Sequence, residues 1–136
     1  MIGKYRDGRV PDPLPVPAGG EHLDAACRQA HAHAGAALAE FDFRRATAAV
    51  WAIAAEANRF INQVRPWELA RSERDGGDGR PLDAVLGTLF RACLALGREL
   101  APFLPDAAAR IIGQCMPRDG LLPAASPVFR RLGSTA

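Results

Sequence analysis

The residues best suited to chemistry lie together at 58–71, where the chain reads Asn-Arg-Phe-Ile-Asn-Gln-Val-Arg-Pro-Trp-Glu-Leu-Ala-Arg. The indole ring of Trp67 offers a flat face on which any nucleic-acid base can stack. Arg65 and Arg71 flank it, and guanidinium groups bind phosphate well. Pro66 suits the first turn of a helix. Two interpretations stay open for Trp67, which is either a stacking surface or a core residue. Arg65 and Arg71 are likewise either phosphate contacts or solvated surface residues.

A second group of residues, Cys27, His31 and His33, contains the side-chain types that bind zinc. Cys27 and His31 are four residues apart and can share a helix face, but His33 points about 200° away from His31 on a helix. A structural zinc site needs four ligands. We therefore expect no metal site and interpret these histidines as surface residues.

Signatures of catalysis are missing from the sequence. It contains no glycine-rich phosphate loop after a strand, no Cys-x-x-Cys pair and no His-Glu-x-x-His motif. We accordingly predict no catalytic residue and no cofactor.

Composition indicates one folded domain spanning residues 1–136, since 49% of the residues are hydrophobic. The net charge is only +2, although the chain has sixteen arginines and one lysine, so a basic surface that binds DNA is not expected. No apolar run approaches the ~20 residues of a membrane-spanning helix. Residues 1–7 do not show a basic stretch followed by a hydrophobic one, so we expect no signal peptide. Three cysteines, an odd number, favour a reducing compartment, with Cys93 and Cys115 in the core. We expect a cytoplasmic protein without a membrane partner.

Hydrophobic periodicity predicts an all-α fold, a bundle of about five helices. The widest apolar arc belongs to residues 81–101, which we expect to form the central helix. Asp42 is the expected N-cap of the second long helix, whose apolar stripe is taken to start at Phe43. Trp51 and Asn58, seven residues apart, are expected on one buried face of that helix. The predicted helices are 21–40, 43–62, 66–70, 81–101 and 106–115, with a Pro/Gly connector at 11–20, a polar loop at 72–80 and an irregular tail at 116–136.

Several motifs, in order along the chain, resemble the anticodon-binding domain of methionyl-tRNA synthetases. The main one is Asn-x-(aromatic)-Ile followed by Pro-Trp-x-Leu-Ala-(basic), at residues 58–71. Residues 4–11, 41–51 and 102–111 resemble further segments of that domain. Residues 127–132 are similar to its closing Pro-Leu-Phe-Pro-Arg-Ile, with Arg130 in place of the second proline. The resemblance covers nearly the whole chain and implies a bundle of about five helices.

The resemblance also implies a tRNA anticodon stem-loop as partner. It assigns Trp67 to stacking on an anticodon base and matches Lys4 to a basic position of the family. Arg65 and Arg71 are then candidate phosphate contacts. Asn58 is a further candidate, although the favoured interpretation is a buried amide that satisfies the backbone of a neighbouring turn.

Two departures from the family pattern limit what the resemblance implies. The Asn and Arg that read the wobble base in the family lie before the position of Met1, which predicts weak, poorly discriminating binding. The family's nucleotide-binding motifs, His-x-Gly-His and Lys-Met-Ser-Lys-Ser, do not occur, so we expect no aminoacylation by the chain itself. Two alternatives stay open: a docking or oligomerising domain, as a homodimer or with a separate protein partner, and a fragment of a complete methionine–tRNA ligase.

Overall fold

A computed structural model describes residues 1–129 and 132–133. This part of the chain forms six α-helices and no strand, which confirms the all-α bundle. Five of the helices lie where the sequence predicts them. The helices are α1 (Ile2–Arg6), α2 (Glu21–Ala39), α3 (Phe43–Val64), α4 (Pro66–Arg74), α5 (Arg80–Leu100) and α6 (Pro105–Gln114).

Local capping signals fix the ends of α3 and the start of α4. The Asp42 carboxylate accepts a hydrogen bond from the backbone N–H of Arg45 at 2.9 Å, which confirms the predicted N-cap. Arg65 adopts a left-handed conformation (φ 50°). It is the C-cap residue of α3 and also the N-cap residue of α4. Because Pro66 occupies the first turn of α4, the chain turns sharply here and begins a new helix at once.

The central helix is α5, as predicted. It packs against α2, α3, α4 and α6, and its buried residues extend from Leu82 to Leu100. A helix with apolar neighbours on several sides needs a wide apolar arc, which is the pattern that the sequence shows.

The sequence-based prediction was wrong about one helix and about the end of another. The short helix α1 was not predicted, because five residues ending at a left-handed Asp7 (φ 50°) and Gly8 (φ 83°) carry too little periodicity to detect. Residues 72–74 were predicted as part of a loop but extend α4 by one turn. Arg71 and Arg74 lie in that last turn, where positive side chains favour the helix end.

The buried face of α3 differs from the stripe that was expected to start at Phe43. Its buried large residues are Val50, Ile53 and Phe60. Trp51, expected in the core, is 42% exposed, and Asn58, expected to be buried, is exposed. Each step along a helix turns about 100°, so a one-residue error in the stripe moves these two side chains to the surface.

The cysteines divide between core and surface. Cys115 is 9% exposed, as predicted, whereas Cys93 is exposed, contrary to prediction. Phe43, predicted to start the α3 stripe, is also exposed, as is Phe41. Phe41 has a positive φ of 58°, so α2 has ended and the ring leaves its face.

The irregular C-terminal segment is held against the helices. Gln114 donates to the backbone oxygen of Ser126 and accepts from its N–H, both at 2.9 Å. The N–H of Leu122 donates to the oxygen of Gly8 at 2.8 Å, which ties this segment to α1. Arg130, which departs from the family pattern, lies outside the described residues. Within the part of the chain that the structure describes, no helix combines the length and apolar character needed to cross a membrane.

Candidate nucleic-acid interface

Three of the five predicted site residues line one concavity of about 450 Å³. Lys4 reaches it from α1, and Trp67 and Arg71 reach it from α4. The floor is apolar, from Ala70 and Leu82, both buried. The remaining lining side chains are those of Tyr5, Arg6, Glu73 and Arg74.

Trp67 lies on the first turn of α4 with 45% of its surface exposed. Its neighbour Pro66 is fully buried, and Ala70, one turn later, is buried too. The same helix start therefore has a packed side, which fixes the backbone, and an open side, which carries the indole. This excludes a purely internal role for Trp67 and leaves an aromatic face accessible to a ligand.

Arg6 fastens α1 beside α4 and α5. Its Nε donates to Asp83 Oδ1 at 2.6 Å, and its Nη2 donates to Glu73 Oε2 at 3.0 Å and to the backbone oxygen of Gly79 at 3.3 Å. Burial alone would lower the pKa of Arg6, but the hydrogen bonds to Asp83 and Glu73 outweigh it and the net effect raises the pKa. The guanidinium stays charged and offsets one of the two negative charges that Asp83 and Glu73 bring to the edge of the concavity.

The concavity is left with uncompensated positive charge. Among residues 1–129, Lys4, Arg71 and Arg74 form no salt bridge, and Glu73 is already paired with Arg6. The ammonium of Lys4 lies 5.3 Å from the centroid of the Tyr5 ring, a cation–π distance. Three cations around an exposed indole favour a ligand that combines negative charge with flat rings.

Arg65 stands outside this concavity. Its Nη2 lies 3.0 Å from Glu68 Oε1, and both side chains are more than half exposed. Exposed pairs of this kind contribute little, about 0–1 kcal/mol, so the guanidinium can change partner at small cost. A phosphate contact by Arg65 stays a prediction.

Asn58 is also apart from Trp67. It lies on a second, larger groove of about 920 Å³ between α3 and α5, bordered by α1 and by residues 122–125. Lys4 lines both the concavity and this groove. A role for Asn58 in binding RNA stays a prediction.

Arg74 is the residue that sequence reasoning missed. It lies three residues after Arg71 and therefore on the same side of α4. The spacing would have identified it, had the helix not been predicted to stop before Ser72. In contrast, His31 and His33 are exposed, as predicted, and His31 Nδ1 lies 3.2 Å from Glu99 Oε2. His22 is exposed too.

Comparison with known proteins agrees with the resemblance seen in the motifs. No family model matches the chain. The methionine–tRNA ligase of Streptococcus pyogenes serotype M3 is 31% identical over 119 residues, which make up 84% of this chain. Methionine–tRNA ligase 1 of Sorangium cellulosum is 34% identical over 84 residues, 62% of this chain and 12% of that protein. The chain is a homologue of the methionyl-tRNA synthetases. It spans only 17% of the length of the Streptococcus relative.

Solved methionyl-tRNA synthetases also share the fold. The Mycobacterium tuberculosis enzyme bound by methionyl-adenylate superposes with a TM-score of 0.80 at 21% identity, over 96% of this chain and 28% of that chain. Its free-state form gives 0.80 at 22% identity, over 98% and 30%. The likeness extends over nearly the whole described bundle, so these helices reproduce one segment of a much longer synthetase.

Proposed function

We propose that this chain binds the anticodon stem-loop of a tRNA through the concavity between α1 and α4. The observation that carries the proposal is the convergence of Lys4, Trp67, Arg71 and Arg74 on one apolar-floored surface. The homologues are named as enzymes that join methionine to tRNA, which makes tRNA the first nucleic acid to test.

The chemistry of each side chain suits a single-stranded loop. A base turned out of the loop can stack on the exposed indole of Trp67, which is worth about 1–3 kcal/mol. Arg71 and Arg74, one turn of helix apart, can meet successive phosphates of the backbone. Lys4 approaches from α1 and adds a third cation. Because stacking tolerates any base, we expect the surface to select an unpaired loop more strongly than a sequence.

Aminoacylation lies outside the proposed function of this chain. The sequence has neither His-x-Gly-His nor Lys-Met-Ser-Lys-Ser, and it matches a minor part of each relative. The proposal is a tRNA-binding module, whether it acts as a separate protein or as a segment of a complete methionine–tRNA ligase.

The alternative, a docking or dimerising domain, would use the apolar groove between α3 and α5, with a second copy of the chain as the occupant. The concavity favours RNA over this alternative because its clustered cations form no salt bridge within residues 1–129, and such clusters are typical of phosphate-binding surfaces.

A binding titration with three labelled RNAs tests the proposal. The first is the anticodon stem-loop of a methionine tRNA, the second is the same hairpin with abasic loop nucleotides, and the third is an acceptor-stem hairpin. We expect the first to bind tightest and the abasic hairpin to lose about 1–3 kcal/mol, the value of one stacked base. Equal affinity for all three would indicate nonspecific attraction to phosphate. No binding even at low salt, together with a concentration-dependent dimer in sedimentation, would favour the docking alternative.

A further inference from the structure

The groove between α3 and α5 contains a pair of thiols that the proposed RNA interface does not use. Cys93 lies in the middle of α5 and is exposed, while Cys115 directly follows α6 and is 9% exposed. Both line the groove, and both are free cysteines. One thiol is thus accessible to a small reagent, and the second lies behind it.

The packing of α5 against α6 brings these two residues opposite each other. Leu100 packs with Ala107 and Ala108 at the turn between the helices. Further from the turn, Gly97 meets Ile111 and Ile112.

That contact is close. A Cβ atom on Gly97 would lie 2.7 Å from Ile112 Cδ1 and 3.1 Å from Ile111 Cγ2. The helices are therefore antiparallel, with a glycine allowing a short separation. One further turn along each helix leads from Gly97 to Cys93 and from Ile111 to Cys115.

The environment makes the two thiols unequal. A hydrogen bond from the Cys115 thiol stabilises the Cys93 thiolate and lowers the pKa of Cys93 to about 7. The same hydrogen bond, with burial, raises the pKa of Cys115. A lowered pKa increases the thiolate fraction of Cys93, which is the reactive form, and Cys93 is also the more exposed of the two thiols. Cys93 is the attacking group and Cys115 the proton-bearing neighbour.

We propose that Cys93 and Cys115 are a reversible oxidation site, at which a hydroperoxide converts the two thiols into an intramolecular disulfide. The Cys93 thiolate attacks the peroxide oxygen, the O–O bond breaks, and a sulfenic acid forms while hydroxide leaves. The Cys115 sulfur then attacks the Cys93 sulfur and displaces the sulfenic oxygen as water. In total the two thiols lose two electrons and two protons, and hydrogen peroxide becomes two molecules of water.

Cys27 serves as the internal control for the reactivity of Cys93 and Cys115. It lies on α2, half-buried and packed against the core, and burial is the main reason that its pKa is raised. A thiol of this kind reacts slowly with peroxide. The chain therefore contains its own control for cysteine content.

The test treats the reduced full chain and its Cys27→Ser, Cys93→Ser and Cys115→Ser variants with a small excess of hydrogen peroxide. Remaining thiols are alkylated under denaturing conditions and counted by intact mass, and a nonreducing peptide map locates any crosslink. We expect wild type and Cys27→Ser to lose two hydrogens and to contain a peptide joining Cys93 to Cys115. Dithiothreitol should restore both thiols.

The two remaining variants should behave differently. Cys115→Ser should accumulate sulfenic and then sulfinic acid on Cys93, because the resolving thiol is missing. Cys93→Ser, a change at an exposed position, should react little. The oxidised wild type should also melt on the order of 5–10 °C higher, since the bond closes a loop across two helices. A crosslink to Cys27, stable oxidation of Cys93 in wild type, or three unmodified thiols would each overturn the proposal.

Discussion

The Nε of Arg6 lies 2.6 Å from Oδ1 of Asp83, although 77 positions separate them in the chain. The second ion pair of Arg6, to Glu73, crosses to α4. A five-residue helix cannot hold its place by its own hydrogen bonds, because isolated helices shorter than about 12–15 residues are marginal in water. These two ion pairs therefore position α1, and with it Lys4, against the last turn of α4 and the first turn of α5.

Removing the charge of Arg6 should destabilise the fold. Arg6→Met keeps most of the volume but leaves Asp83 and Glu73 without their cation, and all three side chains are only 20–32% exposed. We expect a loss of about 1–3 kcal/mol in the free energy of unfolding, below the value for a fully buried pair because solvent screens these groups. Urea denaturation measures it. Arg28→Met, which breaks the exposed pair with Asp24, is the control and should cost less than about 0.5 kcal/mol. Equal effects of the two variants would show that Arg6 has no special anchoring role.

Two phenylalanines allow a direct test of where the core lies. Phe60 is 1% exposed and its ring faces the start of α2, while Phe41 is 82% exposed. Phe60→Ala should lower the free energy of unfolding by about 3–5 kcal/mol through lost transfer energy and a cavity. Phe41→Ala should change it by no more than about 0.5 kcal/mol. A large effect at Phe41, or a small one at Phe60, would contradict the described orientation of α2 and α3.

The sequence predicted the positions of the helices better than it predicted which face of each helix is buried. Helix type and approximate bounds follow from apolar spacing and from local signals such as Asp42 and Pro66, which act within a few residues. The orientation of α3 was missed because alanine is compatible with buried and exposed positions alike. In an alanine-rich helix the buried face is set by what packs on it, here α2 and α5. Trp51 and Asn58 were misplaced for that reason.

The candidate site could be predicted only in part for a similar reason. Trp67 and Arg71 are on one short helix, so their proximity follows from the local pattern. Their approach to Lys4 depends on the Arg6 ion pairs, which span more than sixty residues and leave no periodic signal. The contribution of Arg74 depended on whether α4 continued past Ser72, and helix ends are the least certain part of a sequence-based prediction.

The two arginines of α4 should determine much of the salt dependence of RNA binding. Each lost phosphate contact should reduce the slope of log affinity against log salt by about 0.7 for single-stranded RNA. Arg71→Ala/Arg74→Ala should therefore flatten the slope by about 1.4 and weaken binding most at low salt.

The matched control is Arg44→Ala/Arg98→Ala. These exposed arginines lie near the start of α3 and the end of α5, and neither lines the concavity, yet the change in net charge is the same. The same loss of slope in both double variants would mean that only total charge matters, and the concavity would not be the RNA surface.

Trp67 provides the most direct test of the whole account, because two tryptophans of similar exposure lie on different surfaces. Trp67 is 45% exposed in the concavity, and Trp51 is 42% exposed on α3 outside it. A binding titration compares the wild-type chain with Trp67→Ala, Trp67→Phe and Trp51→Ala, using the anticodon stem-loop and its abasic-loop counterpart. Thermal melting of each variant separates loss of binding from loss of folding.

We predict that Trp67→Ala weakens binding of the stem-loop by about 1–3 kcal/mol, that Trp67→Phe retains most of the affinity, and that Trp51→Ala binds like the wild type. The abasic hairpin should not distinguish Trp67→Ala from the wild type, since it has no loop base to stack. Unchanged affinity of a folded Trp67→Ala chain for the intact stem-loop would contradict the account. So would a stability loss of about 3–5 kcal/mol with wild-type affinity in the folded fraction, because Trp67 would then be a packing residue.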